Sequence, residues 1–371
     1  MNERLPRPLH PVAWWLWALG LATAASRTTN PILLLLIVAV VAGVVTMRRS
    51  EAPWAKGFRS YVLLALVVIG IRVVFRMVLE GQYGSTVLFH LPEIHLPAAA
   101  AGIRIGGPVS LEGTLAALYD GIRLATLLLC IGAANVLADP KRLLKSLPSA
   151  LHEVGVAATV ALTVAPQLIE SGQRIRRARR LRGVEARRLR LVHGMLMPVL
   201  EDALDRSLLL AAAMDSRGYG RHGAEPRRVR IVSGALVLVG VVGVGIGTYG
   251  MLDGTTARGL GVPVLIAGCA VAVGGLVLGG RRVRRSVYRP EPWRGAEWVV
   301  VACGALTAVL VFMASSIDPD NLYPSLQPLR WPNVSPLAVL AILVGFLPAY
   351  VAPPVALRRD TRFVELAVSE P

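Results

Sequence analysis

Cysteine is scarce in this chain of 371 residues: Cys130, Cys269 and Cys303 are the only ones, each set inside an apolar run. That excludes a disulfide framework or a cysteine-based metal knuckle, and leaves them as small core residues. Lysine is scarcer than the basic total suggests, with only Lys56, Lys141 and Lys145, preceded by Ala, Pro and Leu. A P-loop needs glycine directly before its lysine, so no such nucleotide site exists here. The chain is expected not to be an enzyme; no cofactor is implied, and any ATP-driven work must come from another subunit. Charge is sparse and lopsided: 17% of residues are charged, with 23 acidic against 40 basic, for a net charge of +17.

What fills the chain instead is apolar, 54% of residues with a mean hydropathy of +0.57. Continuous runs at Ile32–Met47, Tyr61–Leu79, Leu111–Leu137, Ile231–Tyr249, Val262–Gly279, Ala296–Ser315 and Pro336–Ala352 read as spanning helices. Val12–Ala25 is shorter. Arg4 and Arg7 before it and "ATAAS" (22–26) after it allow a cleaved signal. Against that stand Trp14, Trp15 and Trp17, which suit an interfacial belt, and Arg27–Pro31, which reads as a tight turn between paired helices. The expected fold is therefore all-α, a polytopic membrane protein of about eight spans.

Basic residues gather before the first span, at 48–59, 141–145, 174–190, 217–230, 281–294 and 358–359, while the alternate loops are poor in them. The positive-inside rule then puts both termini in the cytoplasm, in a cell inner or plasma membrane. Most of the net charge is thus a topology signal, and nucleic acid is not an expected partner. A match to the dinucleotide fingerprint, Gly245-Ile-Gly247-Thr-Tyr-Gly250, lies at the end of a spanning helix and is accidental. Gly243 and Gly247 read instead as sites of close helix packing.

Residues 150–225 break the pattern, dividing an N-terminal membrane region (1–149) from a C-terminal one (226–371). His152–Ile169 is apolar but carries Glu153, Pro166 and Gln167, marginal for a straight span. It runs into nine arginines between Arg174 and Arg190, opposed only by Glu185. In hydrocarbon each cation costs about 2.5–3.5 kcal/mol, so this stretch should leave the membrane as an amphipathic helix on the cytoplasmic side. A second such helix, Met195–Met214, keeps Leu196, Leu200, Ala203, Ser207, Ala211 and Met214 on one face, with Glu201, Asp202, Asp205 and Arg206 elsewhere and Pro198 near its first turn. Each segment ends on the same device, Leu181-Arg182-Gly183 and Ser216-Arg217-Gly218. Glycine ends the helix, and an arginine in the last turn is presented at its partly negative tip. One such corner is an ordinary basic C-cap. Two, each on a helix too polar to span, also fit docking of a partner protein through arginine's five-donor fork.

These residues carry a resemblance. "VAPQLIESGQRIRRARRLRG" (164–183) and "MLMPVLEDALDRSLLLAAAMDSRGYG" (195–220) resemble the two Arg-Gly segments of the T component of energy-coupling-factor (ECF) transporters. "LHPVAWWLWALGLATAASRTTNPILLLL" (9–36) and "ADPKRLLKSLP" (138–148) are similar to that family too. The resemblance covers roughly residues 9–222. It implies a scaffold joining a substrate-binding S component to two ECF-type ATPase subunits, for uptake of a vitamin or of cobalt or nickel. The docking residues carried over are Leu181, Arg182 and Gly183, and Ser216, Arg217 and Gly218, with the faces around Ala178 and Ala211 packing on the other coupling helix or the S component. Leu181 stands where the family often has Ala, and the spans after 231 exceed the family's usual number.

Within the spans, Arg72, Asp120 and Arg123 are expected to form a polar network, with Asp120 the partner of Arg123 one turn away. Two other readings follow from the same residues. A self-sufficient secondary transporter would place its substrate site at Arg72 and Arg123; a membrane anchor would use the arginine cluster on anionic lipid or RNA. His90, Glu93 and His95 could ligate a metal only with a further ligand, which the loop does not supply.

Overall fold

The computed structural model describes residues 7–49, 57–79, 84, 86–94, 105–146, 151–181, 188–218, 227–252, 261–280 and 292–353. It is a polytopic all-α membrane protein. Among the described residues, seven helices are long and apolar enough to cross a membrane. Six coincide with expected spans. The seventh is Val154–Leu181, whose best window has a mean hydropathy of 1.4, the lowest of the seven. Two expected spans are shorter helices, Pro11–Ser26 and the broken stretch Pro336–Val351.

The helices divide into two compact units, residues 1–143 with 290–371, and residues 144–289. These units cut across the three consecutive regions read from the sequence, because the last spans pack on the first helices and not on their chain neighbours.

The first unit is built on α1 (Pro11–Ser26), α2 (Pro31–Arg48), α3 (Phe58–Leu79) and α4 (Leu111–Leu137), followed by the short α5 (Pro140–Lys145). α2 starts where Pro31 occupies the first turn and the Asn30 side chain accepts from the Ile32 N–H at 3.0 Å. α4 starts likewise at Ser110, whose hydroxyl accepts from the Gly113 N–H at 3.3 Å. Between α3 and α4 the chain makes an antiparallel hairpin, β1 (Val87–Ile94) with β2 (Ile105–Ser110), pairing Val87 with Ser110 and His90 with Pro108. Such a hairpin carries little sequence signal, since two irregularities in its register break the alternation of side chains.

α1 is interior: Trp17, Leu21, Ala24 and Ala25 are fully buried in the main apolar cluster. Its backbone meets that of α10 (Gly295–Ile317) where Gly20 faces the Gly304 carbonyl and a Cβ on Gly304 would lie 2.7 Å from the Trp17 Cα. A side chain at either glycine would force the helices apart. The Trp17 indole N–H donates to the Gly345 carbonyl at 3.0 Å, at the break between α12 (Pro336–Val344) and α13 (Pro348–Val351). Arg48, ending α2, donates to the Ala349 carbonyl from both Nε and an Nη, at 2.8 and 2.5 Å. Facing the other end, the turn between α1 and α2 is held by the loop after α11 (Pro319–Leu322). The Leu322 carbonyl accepts from the Thr28 hydroxyl and the Thr29 and Asn30 amides, and the Asn30 Nδ2 donates to the Asn321 and Asn333 carbonyls, both at 2.7 Å. α3 contributes little to this interior, burying only Ala65 and exposing Leu63, Leu66, Phe75 and most of its other apolar residues, as a helix facing acyl chains does.

The second unit contains α6 (His152–Leu181), α7 (Arg188–Ser216), α8 (Arg227–Leu252) and α9 (Gly261–Gly280). α8 and α9 form a tight hairpin. A Cβ on Gly243 would meet the Gly268 Cα at 3.1 Å, and one on Gly247 would meet the Leu265 Cα at 2.6 Å, the close packing that the glycine spacing predicted. Cys130 and Cys303 are buried, but Cys269 is exposed on α9, so it is not a core residue.

Candidate coupling helices and an intramembrane ion pair

Two continuous helices, 30 and 29 residues long, carry the segments expected to couple. At 1.5 Å per residue each is roughly 44 Å long. Both run through a proline, Pro166 in α6 and Pro198 in α7. α7 begins at Arg188, not near Met195, so Pro198 sits about three turns into it and not in its first turn.

The arginine-rich end of α6 closes at Leu181, whose surface is 89% exposed. Arg182 and Gly183 lie outside the described residues. α7 closes at Ser216, with the Arg217 amide donating to the Met214 carbonyl at 3.1 Å and the Gly218 amide to the Asp215 carbonyl at 2.9 Å. Gly218 has φ +75°, the left-handed conformation that ends a helix and that a Cβ penalises. Arg217 is exposed at this corner.

The contact between α6 and α7 differs from the apolar stripes read from the sequence. Ala178 and Ala211 are both exposed, whereas Asp202, expected away from the packed face, turns toward α6, with Arg206 bonded to it from its own helix. The Ser171 hydroxyl, in a residue 2% exposed, donates to the Asp202 Oδ2 at 2.5 Å. Arg206 Nε donates to Oδ1 at 3.1 Å, and the Arg174 guanidinium lies 3.7 Å from Oδ2. The Ser171 hydrogen bond, then that from Arg206, hold the Asp202 carboxyl below its usual range. The sequence signal was there: Asp202 and Arg206 are one turn apart on α7, as Ser171 and Arg174 are on α6, a spacing that makes polar pairs.

In the first unit Arg72 and Asp120 are brought together, 3.4 Å apart, with side chains 45% and 44% exposed. Arg123 is not part of this pair: it donates to the Ser26 carbonyl at the C-terminus of α1, so Asp120's partner is Arg72 and not Arg123. The first turns of α4 place Asp120 beside α3, while Arg123, three residues on and about 60° round the helix, reaches α1. The neighbouring Arg27 stacks on Phe312, 4.9 Å from the ring centroid. Among the described residues no three metal-ligating side chains converge, and His95 lies outside them. A second pair, Arg7 with the buried Glu297 at 2.9 Å, ties the start of the chain to the first turn of α10, where the Arg294 amide also donates to Glu297 at 3.1 Å.

A multi-pass membrane protein carrying two long polar helices, each followed in the sequence by an Arg-Gly pair, is the class these features define. The family model of CbiQ, cobalt transport protein, matches residues 2–228, and this chain belongs to that family. It is 32% identical over 193 residues to the energy-coupling factor transporter transmembrane protein EcfT of Thermanaerovibrio acidaminovorans, covering 45% of this chain and 71% of that protein. The EcfT of Bacillus subtilis is 26% identical over 200 residues (47% and 74%), and that of Lactococcus lactis 25% over 202 residues (50% and 69%). The chain is accordingly a transmembrane component of the ECF transporter type, a transport protein. Residues beyond 228 lie outside the matched region, yet α10, α12 and α13 complete the interior around α1 and α2.

Proposed function

We propose that this chain couples two ATPase subunits to a substrate-binding S component, for uptake of a vitamin or of cobalt or nickel. The observation that carries the reading is the exposed Arg217 standing at a left-handed glycine cap on the end of α7, in a family of transporter membrane components. Arg182-Gly183 would make the matching corner on α6. Each guanidinium offers a rigid donor fork to carboxylates in a groove of one ATPase, and the glycine stops the helix so that nothing beyond the tip obstructs entry. Ser216 and Leu181 would border these contacts. The arginine-rich half of α6 favours an aqueous, anionic-lipid-lined face, so the coupling ends and both chain termini lie on the cytoplasmic side. Arg72 and Asp120 act in this reading as a structural pair between α3 and α4, and Arg123 as a cap on α1.

The test is co-purification of the full chain with candidate ATPase subunits of the same organism, comparing wild type with Arg182→Ala/Arg217→Ala. Loss of the ATPases from the double variant is expected, with no change in yield of the membrane protein. Recovery equal to wild type would remove the docking role; loss of transport on Arg72→Ala alone, with docking intact, would point to a substrate site in this chain.

A further inference from the structure

Among the described residues, the hydrogen bond and the ion pair that join α6 to α7 both end on one side chain, Asp202. Ser171 supplies a donor buried at the crossing, Arg174 a second charge from α6, and Arg206 a donor from Asp202's own helix. Two donors and a neighbouring guanidinium on one carboxylate hold its rotamer, and with it the point where the two helices touch. Pro166 and Pro198 each lie about one turn before this point, so their missing amides weaken the helices upstream of it. Beyond it, from Gln167 to Leu181 and from Val199 to Ser216, both helices run without proline to the Arg-Gly corners.

We propose that Asp202, held by Ser171, is the pivot of the α6–α7 crossing and sets the separation of the two Arg-Gly corners. It is a positioning residue, remote from any partner. The lever arms explain why a single contact matters. Leu181, where α6 closes, is ten residues beyond Ser171, and Arg217 is fifteen beyond Asp202, arms of roughly 15 and 22 Å. A ten-degree turn about the pivot moves the tips by about 3 and 4 Å. A bidentate guanidinium contact tolerates only about 0.5 Å. The consequence for coupling rests on the docking reading above; the pivot itself does not.

The pivot is read by the distance between nitroxide labels on exposed positions past the crossing, Arg180→Cys and Ala213→Cys, in full-length chain with Cys130→Ala, Cys269→Ala and Cys303→Ala, in nanodiscs. Asp202→Asn and, independently, Ser171→Ala are expected to broaden the distance distribution by roughly 2–3 Å, the same ten-degree turn read nine and eleven residues from the crossing, while Asp202→Glu keeps it narrow. With ATPase subunits bound, MgATP should shift the wild-type distribution as a whole and leave the Asp202→Asn distribution broad. A wild-type distribution in both Asp202→Asn and Ser171→Ala overturns the pivot. A broad distribution whose MgATP response matches wild type overturns its part in coupling. If wild-type chain recovers no ATPase subunits, the docking reading fails, and the nucleotide-free label distances still decide the pivot.

Discussion

Replacing Asn30 by alanine removes a side chain that serves three backbone groups at once. Its Oδ1 caps the Ile32 amide, and its Nδ2 donates to the Asn321 and Asn333 carbonyls. Loss of the cap costs about 1 kcal/mol. The two carbonyls lose about 1–2 kcal/mol together, less for Asn333, whose residue is partly open to water. The total, about 2–3 kcal/mol, corresponds to a roughly 30- to 140-fold rise in local opening. The bonds from Thr28 and from the Thr29 and Asn30 amides to the Leu322 carbonyl survive the substitution, so opening should stay local. Hydrogen exchange at the Thr29, Asn30 and Ile32 amides, on protein in nanodiscs, reads that factor directly. Asn30→Asp is the sharper variant: it keeps the cap acceptor but turns a carboxylate oxygen toward two carbonyls, and should accelerate exchange at least as much. Exchange faster by less than about threefold in both variants would refute the idea that this residue latches the α1–α2 turn to the loop after α11.

Gly304→Leu should abolish recovery of folded protein, because its Cβ meets the Trp17 backbone, whereas Gly245→Ala, with nothing within 4 Å of the new atom, should raise thermal stability slightly; the melting temperatures of the two decide it. Arg7→Ala leaves the fully buried Glu297 carboxylate without its charged partner and should cost about 3–5 kcal/mol; in a double-mutant cycle Glu297→Gln should recover part of that loss, and additive effects would contradict the pairing. Because the Asp202 carboxyl is held below its usual range by Ser171 first and Arg206 next, its contribution is complete above the ordinary carboxylate pKa of about 3.9 and lost as pH falls through the lowered value. The α6–α7 label distance should therefore be the same at neutral pH and at pH of about 5, and broaden only below about 3.9; broadening already in the mildly acidic range would contradict the assignment.

Apolar run length alone determined that this chain crosses a membrane many times, because a helix that must satisfy its backbone within hydrocarbon needs an uninterrupted stretch, and six such stretches coincide with helices of the structure. The same local logic made the Arg217-Gly218 end legible: a left-handed glycine after a last-turn arginine is a property of a few consecutive residues. Local logic failed where partners are distant in sequence. Asp120 has arginines one turn away and across the neighbouring helix, and only the packing of α3 on α4 selects Arg72. Asp202 looks like a solvated residue on a helical wheel, yet it faces Ser171 and Arg174. The tertiary structure also decided what the chain beyond residue 228 is for: Gly304, Gly345, Leu322 and Ala349 receive Trp17, Asn30's neighbours and Arg48. Such contacts join residues some 300 positions apart, and no periodicity along a chain encodes which surface a helix will meet at that distance.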